Sequence, residues 1–505
     1  MRFRQLLLAG AVLGAACSRE PAAMTTVILG ATVYDGSGLP GVVADVRLAG
    51  SRIVAIGNLV PKSGEWVFNA EGMALAPGFI DTHSHADRGI FDDPSALAAV
   101  SQGITTVVVG NDGGSPYPLA DFYSRLDSAP AAINLASYAG HGSLRQQVMG
   151  DDYRRVATQV EVDSMKSLLY RELDAGALGL STGLEYDPGI YSDYQELLHL
   201  TQATSAEGGR YISHIRSEDR DFWPAIDEII RLGRDAGIPV QISHIKLAMR
   251  SLWGKADSLI ALLDAARASG VEITADIYPY PYWQSGMTVL FPERSFSDKA
   301  AAHFALREIA TPEDIRISAF DLEPSYVGKT LAEVARSRGS DPATTLLALI
   351  REVEAAEAAG RPANETIIAT SMRTSDIDRL VQWEWTNICT DGELDGQHPR
   401  GFGAFAKVLG DMARQREVLT MGEAIRKMTS LPARNMGLAD RGYIREQAVA
   451  DLVLFDPELV ADQATLADPH RPAAGIVSVW VAGELVYDRG QATGKRPGTV
   501  IRRGH

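Results

Sequence analysis

The sequence predicts an α/β protein: a (β/α)8 barrel of the TIM type with a small β-sandwich formed from both chain ends. Three observations carry this reading. The middle of the chain alternates short apolar stretches with amphipathic stretches of helix length. Those apolar stretches are hydrophobic on both faces, as strands covered by helices on a parallel sheet must be. The two ends share another texture, β-branched residues broken by glycine turns, which marks short antiparallel strands.

In chain order, "MRFRQLLLAGAVLGAACSRE" sets two arginines before an apolar run and small residues before Cys17. That is the pattern of an export signal, and the run is too short to span a bilayer as a mature helix. "LGAAC" resembles a bacterial lipobox, so residues 1–17 are expected to direct export to the periplasm, with Cys17 as candidate lipid anchor. Residues 18–75, with "TTVILGATVYDGSG", form the N-terminal part of the sandwich. Residues 438–505, with "ADLVLFDP" and "GIVSVWVAGELVYDRG", form its C-terminal part. Residues 76–437 lie between as the inserted barrel. Its strand candidates after the first are "GITTVVVGND", "AINLASYAG", "GALGLSTGL", "GRYISHIRSE", "IPVQISHIK" and "VEITADIYPY". Among the helices between them, "DYQELLHLTQATSAEG" has Ser192 and Gln195 at capping-box spacing. A doubly wound open sheet is disfavoured because no GxGxxG loop follows an early strand. Residues 291–373 exceed a plain crossover and are expected to form an extra subdomain or lid. The formal charge of -16 argues against nucleic acid or anionic lipid as a partner. Only Cys389 lies within the predicted domains, so no internal disulfide is expected.

Barrel chemistry sits at the C-terminal ends of the strands. The first ends in "PGFIDTHSHAD", where His83 and His85 are two apart and so face the same side. The second ends in "GNDGGSP" with Asp112; the fifth and sixth end in "ISHIRSE" and "ISHIK" with His214 and His244, one βαβ unit apart. The eighth, "NICTDGELDGQHPRG", offers Asp391. Singly, each has an ordinary structural explanation. Together they place four histidines and two aspartates at one end of one barrel, a metal-ligand constellation. His141 in "GHGSLR" and His398 in "HPRG" are further candidates for the pocket wall.

These residues resemble the amidohydrolase superfamily, and within it the N-acyl-D-amino-acid deacylases (D-aminoacylases). The resemblance runs through "APGFIDTHSHAD", "GHGSLR", "GLSTGLEYDPG", "YISHIRSE", "QISHIK", "DIYPY", "TDG", "HPRG" and "MTSLPARNMGLADRGYI". It implies Zn2+ and hydrolysis of the amide bond of an N-acyl-D-amino acid, releasing a carboxylic acid and a free amino acid. Two departures accompany it. Strand four carries no lysine for a carbamate bridge, and Asp112 occupies the position where D-aminoacylases carry a cysteine. The resemblance therefore implies one tight ion on Asp112, His214 and His244 and a weaker one at His83 and His85. Asp112 is the expected bridge, with Glu185 as its alternative. Asp391 is the expected general base and acid. Lys246, Tyr278, Ser285 and Arg400 are the expected grip on the substrate carboxylate, helped by His398 and His141. Rival readings are a D-residue or isoaspartyl dipeptidase, a cyclic-amide hydrolase of the same superfamily, and a non-catalytic membrane-tethered binding protein. Neither the acyl group nor the oligomeric state is legible.

Overall fold

The structure, a computed structural model, describes residues 25–504; the export signal and the Cys17 anchor lie outside the described residues. Eight parallel strands form the barrel: β1 (Phe79–Asp81), β2 (Ile104–Val109), β3 (Asn134–Ser137, resuming at Ala139–Gly140), β4 (Gly179–Gly183), β5 (Arg210–His214), β6 (Val240–Ile242), β7 (Ile273–Ile277) and β8 (Thr386–Ile388). Each pairs with the next in parallel, from β1 to the first part of β3 and from its second part to β8. The ring closes at the site itself. Ser84 bridges Gly392 in parallel, the Asp391 N–H donates to the His83 carbonyl at 2.8 Å, and the His85 N–H donates to the Gly392 carbonyl at 2.9 Å. The strands are buried throughout β2 and β7, as the two-sided apolar pattern requires.

Amphipathic helices cover the barrel. Phe222–Ala236 buries Phe222, Ile226, Ile229 and Ile230 and stops at Gly237, whose φ of 60° needs no Cβ. Tyr194–Ala206 falls where expected, but its cap is Asp193, which accepts from the Glu196 N–H at 2.9 Å. The predicted Ser192 cap fails because its buried hydroxyl donates to the Gly189 carbonyl at 2.6 Å.

The two chain ends meet in one nine-stranded sheet, where Leu452–Phe455 pairs antiparallel with Ala74–Pro77. Ile28, Val46, Leu48, Leu75, Leu454 and Trp480 form its own core, apart from that of the barrel. The last residues leave this sheet: Val500 bridges Leu135 of β3, and the Ile501 N–H donates to the Leu135 carbonyl at 2.7 Å.

The predicted insert is present between β7 and β8 and begins earlier than residue 291. Its three-stranded antiparallel sheet starts with Tyr282–Ser285, which pairs with Glu365–Thr370, and that strand pairs with Ile315–Phe320. Helices Lys299–Glu308, Leu331–Ser337 and Pro342–Ala358 complete it. The tyrosine-rich segment after β7 is thus its edge strand, anchored by Trp283 Nε1 donating to Ser371 Oγ at 2.8 Å.

Candidate active site

The predicted ligands converge at the barrel mouth, where all six are buried or nearly so. His83 and His85 hang from the segment that closes the ring, so their backbone is held on both sides. Gly113 and Gly183 let the loop after β2 lie against β4: a Cβ on Gly113 would come within 2.8 Å of the Gly183 nitrogen. That approach brings Asp112 over the mouth.

His214 and His244 do not occupy equivalent positions. Ser213 pairs with Ile242, so the register sets His214 opposite Ser243 and leaves His244 one residue further on. In a continued strand that offset would aim His244 at the other face. The strand ends instead, and His244 takes φ 34°, turning its ring back to the mouth. Asp112 and Asp391 share this left-handed backbone, at φ 53° and 48°. Such conformations cost about 1 kcal/mol or more each and gather at functional sites.

Two sets of donor atoms result. In the first, His214 Nδ1 lies 3.0 Å from His244 Nε2, which lies 3.4 Å from Asp112 Oδ1. In the second, Asp112 Oδ2 lies 3.2 Å from His83 Nε2 and 3.4 Å from His85 Nε2, and Asp391 Oδ1 lies 3.5 and 3.2 Å from the same atoms. Ligands at roughly 2.0–2.2 Å from a tetrahedral ion are about 3.3–3.6 Å apart, close to these separations. Asp112 Oδ1 is moreover buried without a hydrogen-bond partner, as an oxygen meant for a cation would be. The donor set therefore fits metal, and Asp112 offers one oxygen to each group. Glu185 does not take that shared place: its Oε2 lies 3.0 Å from His214 Nε2, the ring nitrogen away from the other ligands.

Several neighbours orient these ligands. Glu218 Oε1 is 3.0 Å from His244 Nδ1, and Asp276 accepts from the His244 N–H at 2.5 Å and from Gln241 Nε2 at 2.6 Å. Asp81 ties β1 to β8, accepting from the Thr390 N–H at 2.9 Å and from the His83 N–H at 3.2 Å. Burial pushes its carboxyl up to about 7. Sequence reasoning missed Glu218, Asp276 and Asp81 as functional residues. The signal was there in Asp81 and Asp276: an aspartate inside an apolar strand is too costly to bury without a task.

Asp391 is held ionised. Burial opposes its charge, but Arg400 and the His244 and His83 rings outweigh it and bring the carboxyl well below the usual range. Arg400 Nη1 is 2.6 Å from Asp391 Oδ2, with its guanidinium 4.7 Å from the Tyr278 ring centre. Arg400 Nε and Nη1 and the Tyr278 hydroxyl are buried donors without a well-aligned hydrogen bond, and both residues line one recess beside the cavity. His398 accepts from the Arg400 N–H at 3.0 Å and donates from Nε2 to the Tyr282 carbonyl at 3.0 Å. Burial and the Arg400 charge hold its pKa well below the ordinary value, so it is neutral, as that pair of bonds requires. Ser285 lines both the main cavity, of about 720 Å³, and the recess.

Two expectations are corrected. His141 does not line the cavity: it is fully buried behind it, with Nε2 2.7 Å from Glu196, which also pairs with Arg145. Lys246 reaches the recess but is already engaged, with Nζ 2.6 Å from Glu218 Oε1. A buried lysine needs such a partner, and the one available is a protein carboxylate.

Comparison with known proteins gives a consistent set of likenesses. The amidohydrolase family model matches residues 67–280 and 390–487 and skips the insert. The N-acyl-D-glutamate deacylase of Alcaligenes xylosoxydans xylosoxydans is 37% identical over 501 residues, covering 94% of this chain and 96% of its own. The D-aminoacylase of the same organism is 34% identical over 502 residues, covering 94% and 97%. The crystal structure of N-acyl-D-glutamate deacylase from Bordetella bronchiseptica, complexed with zinc and a phosphonate mimic of the tetrahedral intermediate, superposes with a TM-score of 0.84. It is 34% identical and covers 95% of this chain and all of that one.

Proposed function

We propose, from the premise that this chain belongs to the amidohydrolase family, that it is a zinc-dependent hydrolase of the amide bond of N-acyl-D-amino acids. The observation that carries the reading is the Asp112 carboxylate shared between two histidine pairs, with ionised Asp391 beside them. His214, His244 and Asp112 would hold one ion, and His83, His85 and Asp112 a second. Zinc bound there supplies Lewis acidity to a carbonyl and lowers the pKa of water from 15.7 toward about 7.

The residues of the chain do the rest. Asp391, kept as a carboxylate by Arg400, accepts a proton from the attacking water and returns it to the leaving amine. Arg400 Nε and the Tyr278 hydroxyl offer donors to the α-carboxylate, a grip suited to a planar acceptor. His398 fixes the Arg400 backbone by accepting its N–H. Glu185 meets the outer nitrogen of His214 at 3.0 Å, and Lys246 Nζ and Glu218 Oε1 meet that of His244 at 2.6 and 3.0 Å, which sets the ring orientations.

The test is a panel of N-acetyl amino acids of both configurations on enzyme of measured zinc content. Turnover of the D series, lost on chelation and restored by zinc, is expected. Turnover confined to dipeptides or cyclic amides would overturn the reading.

A further inference from the structure

Asp112 must aim in two directions. Its Oδ2 faces His83 and His85 and its Oδ1 faces His244, so a small tilt of its backbone would pull one oxygen away. Such constellations work only when held to within about 0.5 Å. Yet Asp112 lies beyond the end of β2, where Gly110, Asp112 and Gly113 all take left-handed backbone, at φ 72°, 53° and 77°. A non-glycine residue keeps that backbone only where its surroundings enforce it.

Two serines from other elements hold this loop. Ser181 of β4 is fully buried, and its hydroxyl accepts from the Gly113 N–H at 3.3 Å and donates to the Gly110 carbonyl at 2.5 Å. Ser143 stands in the first turn of helix His141–Met149, which follows β3. Its N–H donates to the Gly113 carbonyl at 3.0 Å. Its hydroxyl accepts from the Ser115 N–H at 2.9 Å and donates to the Ser115 carbonyl at 3.1 Å. That helix is itself fixed at its first residue, where His141 Nε2 lies 2.7 Å from buried Glu196. Ser143 borders the cavity, but its hydroxyl proton is already given to Ser115.

We propose, resting on the zinc reading above, that Ser143 and Ser181 are positioning residues. They clamp the loop on both sides of Asp112 in the chain and so keep its shared carboxylate in line with both histidine groups. Alanine at either position would leave peptide groups of the loop without partners and let Asp112 relax from its left-handed backbone.

The experiment measures the zinc affinity of each apoprotein by competition against a zinc-binding dye, beside its melting temperature. S143A should bind zinc about ten- to a hundredfold more weakly, the usual effect of losing a group that orients a ligand, at a melting temperature close to native. S181A should show the same loss and, because its site is buried, should also melt earlier. In a D112A background, S143A should lower the affinity no further, since it acts through Asp112. At saturating zinc the KM of S143A should be native. Native zinc affinity in S143A, or a further loss on adding it to D112A, would overturn the clamp and leave the zinc reading intact. A KM that stays raised at saturating zinc would overturn it too, by placing Ser143 against the substrate. Wild-type enzyme that binds no zinc would remove the zinc reading and the clamp with it.

Discussion

Asp391 and Asp112 illustrate how one residue type takes two tasks in one site. Both have left-handed backbone and both face histidine, but only Asp391 has a guanidinium at 2.6 Å, and only Asp112 has a buried oxygen without a hydrogen bond. D391N should lower kcat by about 10²–10⁴-fold, the usual worth of a positioned acid–base group. Because Asp391 lies outside the His214–His244–Asp112 set, metal analysis of D391N should still find at least one ion per chain. Near-native turnover by D391N would remove its role. D112A takes a donor from both sets, so its affinity for zinc should fall by more than about a hundredfold, beyond the loss typical of outer neighbours. Competition against a zinc-binding dye reads this without any activity assay. Most of these residues were legible, because a histidine or aspartate at the end of an apolar strand is conspicuous. Lys246 misled for the opposite reason: a lysine after a strand looks free in sequence, and its partner Glu218 lies on the neighbouring strand's loop.

At the scale of elements, the barrel strands were legible from two-sided hydrophobicity, and the helices from their apolar faces. Register was not. The one-residue offset between β5 and β6 depends on backbone pairing, which periodicity does not report. The insert was legible only as a length too great for a crossover. Its sheet rests on Glu365, which accepts the Met287 N–H at 2.8 and 3.0 Å. Burial pushes the Glu365 carboxyl up to about 7, against an ordinary value near 4.3 in the unfolded chain. With the folded value raised, the neutral acid suits the fold. The stability it allows is full below the unfolded value and is lost as pH rises through about 7. Stability should therefore fall between about pH 4.5 and 7 by up to about 3 kcal/mol and level off above that, and E365Q should flatten that slope in denaturant titrations. An equally steep slope in E365Q would assign the effect to another group.

For the whole molecule, the sheet built from both ends was foreseeable from matching texture at the termini. The return of the tail to β3 was not, since Val500 and Leu135 carry no sequence mark of each other. We propose, from the N-terminal signal pattern, that the chain is exported and anchored through Cys17. C17S should shift the protein from the membrane to the soluble periplasmic fraction, whereas a wild-type chain already soluble there would dismiss the anchor. By itself the sequence determined the class of fold, the end of the barrel that carries the chemistry, and the residue types available there. These are local properties, written in hydrophobic period and in the last residues of each strand. The tertiary structure alone decided which oxygen of Asp112 faces which histidines, how His244 reaches the mouth, and which donor atoms stay unpaired beside it. Those outcomes are pairings between residues far apart in the chain, and barrel closure, not local preference, brings them within bonding distance.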